Sequence, residues 1–108
     1  MNLPTKIVFG SKTIKVKFIN KKQANKKNIY GEYNYKNKTI ILDKTLDNAE
    51  TIDTTLHELF HALLDFYYVD LKAKDEEIAC SVLASGLCNI LYQNQDLLDF
   101  LYKSLKKE

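Results

Sequence analysis

The sequence contains no arginine and no tryptophan; all 16 basic residues are lysine. Without arginine's planar fork, the chain lacks the side chain that reads guanine edges bidentately. A net charge of only +2 gives no strong field for a phosphate backbone either. The lysines are densest between Lys21 and Lys27, a stretch that reads as a solvated loop rather than a nucleic-acid patch. Nucleic acid is therefore not an expected partner. One proline and three glycines supply no Pro/Gly-rich linker that would split the chain. The two cysteines, Cys80 and Cys88, fall on one expected helix about 12 Å apart along its axis, too far to bridge each other. They read as small buried thiols of a reducing compartment. No apolar run approaches the roughly 18 residues of a membrane span. The first residues, MNLPTKIVFGSKTIKV, hold no apolar stretch suited to a signal peptide. The expectation is a cytoplasmic protein with no membrane partner.

What is present is ordinary globular composition, 45% hydrophobic and 28% charged, over 108 residues, which fits one domain spanning residues 1–108. The first part has strand signals. Lys6 to Phe9 forms a short strand, Gly10-Ser11 a turn, and Thr13 to Ile19 a second strand with Ile14, Val16 and Phe18 on one face. The polar NKKQANKKN that follows reads as a loop. Tyr33 and Tyr35 then alternate with Glu32 and Asn34, Lys36-Asn37 suits a two-residue hairpin turn, and KTIILD returns as a strand.

After Asp43 the period becomes helical. Asp47 with Glu50 three residues on makes a capping box of Asp type. Ile52, Leu56, Leu59, Phe60, Leu63, Leu64 and Tyr67 recur at helical spacing, so a helix is expected from about Asn48 to Tyr67. A second helix starts near Asp75, with Ile78, Ala79, Val82, Leu83, Leu87, Ile90 and Leu91 as its apolar face, and ends near Asn94. QDLLDFLYKSLKK forms a short third helix. The fold class is α+β: a small N-terminal antiparallel β-sheet of three or four strands packed on the first long helix, with a Glu-bearing second helix and a short C-terminal one.

The chain's only two histidines, His57 and His61, stand in the string HELFH inside the first helix. Side chains at i and i+4 point the same way and can grip one ion. Glu58 between them is placed to act as general base on a water that such an ion activates. The full His-Glu-x-x-His string should arise by chance in well under about one in a hundred chains of this length. Zinc needs a third protein ligand. With no other histidine, the candidates are Glu76, which falls about 50° from the centre of the second helix's apolar stripe, Glu77, which falls well over about 100° away, and more weakly Cys80. Glu76 is favoured, with Glu77 as the alternate. Asp65 reads as a solvated group or a support to the ligands.

These residues resemble a known family. TLHELFHALLD, an acidic turn and EEIACSVLASGLCNILYQN are similar to the small zincin-like metallopeptidases of phages and mobile elements, and through them to the ImmA/IrrE-type peptidases and other gluzincins. The resemblance covers about Gly31 to Asn94. It implies Zn²⁺ held by His57, His61 and a glutamate matching Glu76 or Glu77, with Glu58 as catalytic general base. It also implies a peptide or protein substrate bound beside the strand preceding the active helix. The chain is shorter than larger gluzincins and has no downstream histidine for the oxyanion. Tyr33, Tyr35, Tyr67 and Tyr68 are the alternatives for that role. The leading expectation is a zinc metallopeptidase. The alternative is a catalytically weak or inactive zincin-fold module that binds a host or phage regulatory protein. A helical packing domain without metal is a third.

Overall fold

The computed structural model describes residues 3–106. Strands β1 (Lys6–Phe9) and β2 (Lys12–Ile19) are followed by helix α1 (Lys21–Lys27), then by β3 (Gly31–Asn34) and β4 (Thr39–Asp43). Three helices complete the chain: α2 (Asn48–Phe66), α3 (Ala73–Gln93) and α4 (Gln95–Leu105). The fold is α+β.

The four-stranded sheet has the order β1-β2-β4-β3. β1–β2 and β3–β4 are antiparallel, but β2 and β4 run parallel, with Val16 opposite Ile40 and Phe18 opposite Leu42. The sheet is therefore mixed, where the sequence suggested an antiparallel one. The cause is the stretch read as a loop, which is helix α1. A parallel neighbour requires a crossover connection, and α1 with β3 provides it. A complete capping box starts α1: Asn20 accepts from Gln23 N–H, and the Gln23 side chain accepts from Asn20 N–H. Asn28, at φ 56°, ends it in the left-handed conformation that asparagine tolerates. The β3–β4 connection is also longer than the two residues expected. Tyr35 to Lys38 link the strands, Asn34 Oδ1 accepts from Lys36 and Asn37 N–H, and Lys38, not Asn37, takes the positive φ.

The core lies between the sheet and α2: Ile14, Val16, Ile40, Leu42, Ala62 and Phe66, flanked by Ile7, Phe9, Tyr33 and Leu59. Phe18, expected on the same inward face as Ile14 and Val16, is left half exposed. Asp47 caps α2 by accepting from Glu50 N–H at 2.8 Å. A Schellman pair closes its far end, Tyr68 N–H to Asp65 O and Val69 N–H to Leu64 O.

α2 touches the sheet on one side and α3 on another. This division displaces its buried face from the expected stripe. The residues buried on α2 are Thr55, Glu58, Ala62 and Phe66, while Ile52 and Tyr67 are exposed. On a helical wheel the buried set centres about 115° from Leu56. α3 departs similarly. It meets α2 through the small Cys80 and Ala84, both fully buried, and leaves Ile78, Val82, Leu83 and Ile90 half exposed or more. No helix among the described residues is long and apolar enough to cross a membrane.

Gly31 fixes the distance between β3 and α2. A Cβ there would lie 2.6 Å from Thr54 Cγ2 and 2.9 Å from Leu42 Cδ2. Gly31→Ala is therefore expected to destabilise the fold by about 1–3 kcal/mol, seen as a lower midpoint in thermal unfolding. An unchanged midpoint would mean that α2 and β3 separate without cost.

Candidate metal centre

The site forms where three elements meet. α2 carries His57, Glu58 and His61, α3 carries Glu76 and Glu77, and β3 forms the opposite wall. On the α2 wheel, Glu58 turns toward the sheet and the histidines turn toward α3, so the site lies in the angle between the two neighbours.

The imidazoles converge. His57 Nε2 and His61 Nε2 are 3.2 Å apart. The Glu77 carboxylate reaches both, Oε1 at 2.7 Å from His57 Nε2 and Oε2 at 3.1 Å from His61 Nε2. His57, His61 and Glu77 form a group whose ligand atoms all lie within 4.8 Å of one another. Two nitrogens bound tetrahedrally to one zinc at about 2.05 Å would be separated by about 3.3 Å, close to the spacing found. The donor set of two imidazoles and one carboxylate is also one that zinc accepts while keeping a position open. The residues fit the ion.

Glu76 has a different place. Its Oε2 meets His61 Nδ1, the nitrogen facing away from Glu77. A carboxylate there fixes the ring's tautomer and orientation and leaves Nε2 as the ligating atom. Ser81 Oγ stands 3.4 Å from His57 Nδ1 in the matching position. The geometry thus reverses the order of the two glutamates: Glu77 converges with the imidazoles and Glu76 supports one of them. The reason is the face on which α3 packs. Its contact stripe follows Glu77, Cys80 and Ala84 at helical spacing, not the large aliphatics on which the sequence wheel was centred. Cys80 is buried in that stripe and does not join the group. Burial, then the charges of Glu76, Glu77 and Glu58, push its thiol up to about 11, so it stays protonated.

Glu58 is nearly buried. Its Oε1 accepts from Tyr33 N–H of β3 at 2.9 Å, while Oε2 lies 3.9 Å from His57 Nε2. Burial raises its pKa above the usual carboxylate value, against the pull of the two imidazoles and the Tyr33 N–H. That backbone bond was not readable from the sequence, because nothing in a linear string pairs residue 33 with residue 58.

Asp65 stays partly exposed, and its carboxylate is paired with β3 and the β3–β4 connection and not with either imidazole. It accepts from Tyr33 Oη at 2.7 Å and from Lys38 Nζ at 2.8 Å. Burial pushes its carboxyl up, but the bonds from Lys38 and Tyr33 outweigh this and hold it below its usual value. The Tyr33 hydroxyl is raised by burial and by Asp65, and remains a donor. Tyr33 and Tyr35 line the cleft; Tyr67 and Tyr68 are exposed and line neither of its lobes.

The cleft has two lobes that share Ile29, Gly31, His57, Glu58 and Glu77. One, of about 450 Å³, runs between α1 and the N-terminal half of α2. The other, of about 480 Å³, runs along β3 toward Asp65 and Val69. Comparison with models of known protein families, with curated proteins and with solved structures finds no match.

Proposed function

We propose that the protein is a zinc-dependent peptidase in which His57, His61 and Glu77 hold Zn²⁺ and Glu58 is the general base. The observation that carries this reading is the convergence of two imidazole nitrogens and one carboxylate in an open cleft beside a second, buried carboxylate. Zinc bound there would supply Lewis-acid polarisation of a carbonyl and lower the pKa of water toward 7.

The chain's own residues account for the rest. Tyr33 N–H holds one oxygen of Glu58, which leaves Oε2 free to take a proton from water and deliver it to the leaving amine nitrogen. Burial raises the basicity of that carboxylate in the metal-free site. Glu76 and Ser81 fix the outer nitrogens of the two imidazoles. β3, one of the two edge strands of the sheet, borders the cleft and can align an extended peptide.

The test is incubation of the purified protein with denatured casein and mass-spectrometric analysis of the products. Cleavage is expected, with loss on chelation and recovery when Zn²⁺ is restored. Stoichiometric zinc without cleavage of any chain offered would overturn the peptidase reading and favour a metal-bearing binding module.

A further inference from the structure

We infer that the cleft lobe between α1 and α2 is a subsite for a basic side chain of the substrate, with Asp53 as its counter-charge. This rests on the peptidase reading and adds a substrate class to it.

The row Asp53, His57, His61 and Asp65 runs along α2 at four-residue steps, so each pair of neighbours lies about 6 Å apart along the axis. A carboxylate thus flanks the histidine pair at either end, but the two are not equivalent. Asp65 is matched by the Lys38 ammonium and the Tyr33 hydroxyl. Asp53 accepts from Ser85 Oγ alone, at 3.2 and 3.3 Å, and no ammonium lies within ion-pair distance of it among the described residues.

The other charges in that lobe are already partnered. Lys21 faces Asp43 at 3.2 Å, and the Asp43 side chain is fully buried. Glu58 and Glu77 face the imidazoles. Asp53 is left as the unmatched charge in a lobe of about 450 Å³. Asn25, Asn28 and Thr54 add polar atoms to the same walls, which suits an ammonium with three donors to place. A lysine's four-carbon stem spans roughly 6 Å, the axial distance from His57 to Asp53. An apolar side chain in the same place would strip water from Asp53 without replacing it.

The test uses the Glu58→Gln protein with Zn²⁺ and fluorescein-labelled Ala/Gly decapeptides. Each carries one lysine, norleucine or glutamate, scanned through every position, and binding is read by fluorescence anisotropy. At the best position lysine is expected to bind about 5–10-fold tighter than norleucine, with glutamate weakest, and the gap should narrow as salt rises. Asp53→Asn keeps an acceptor for Ser85 and is expected to abolish the lysine preference. Asp53→Lys is expected to shift it toward glutamate. Equal affinities for the three peptides, or a lysine preference that survives Asp53→Asn, would overturn the subsite and leave the peptidase reading standing. No binding of any peptide, together with no cleavage by the unsubstituted protein, would overturn both.

Discussion

Glu58→Gln is expected to leave zinc bound and to lower hydrolysis by about 10²–10⁴-fold. The glutamine amide oxygen can still accept from Tyr33 N–H, so the contact between α2 and β3 survives. What disappears is the oxygen that faces His57 Nε2 at 3.9 Å with the basicity to remove a proton. Stability of the metal-free protein should not fall. Glu58 is nearly buried and its carboxylate is disfavoured by that burial, so a neutral isostere relieves a cost. Turnover by the variant at the unsubstituted rate would remove Glu58 from the mechanism. Loss of zinc together with activity would make it a ligand instead.

The second large effect separates the paired glutamates. Glu77→Gln removes a charged group that lies 2.7 and 3.1 Å from the two Nε2 atoms, and is expected to lower zinc affinity by more than about 100-fold. Glu76→Gln keeps a hydrogen-bond acceptor at His61 Nδ1 and removes only its charge, so a loss of about 10–100-fold or less is expected. Competition against a chromophoric chelator would measure both. A larger loss for Glu76→Gln than for Glu77→Gln would restore the assignment suggested by the sequence wheel and contradict the geometry.

That reversal marks how far the sequence could be read. α2 was legible because its apolar residues recur at helical spacing and Asp47 caps it, and the histidines of HELFH follow from its periodicity. The rotation of the helix was not legible. A wheel weighted by large side chains assumes one apolar face, whereas α2 has two neighbours and buries Thr55 and Glu58 against one of them. The same assumption misplaced α3, whose contact with α2 is made through Cys80 and Ala84 while Val82 is left exposed. Helix α1 carried a readable signal in Asn20 and Gln23, three residues apart, but the lysines around it masked it. Missing it also hid the parallel pairing of β2 with β4.

If His57, His61 and Glu77 hold one cation, as proposed, the metal should accompany the protein through purification. Elemental analysis of the protein purified without added metal tests it most directly. About one equivalent of zinc is expected, absent from the His57→Ala/His61→Ala double variant. An unsubstituted protein free of metal that also fails to take up Zn²⁺, or a double variant that keeps a full equivalent, would contradict it.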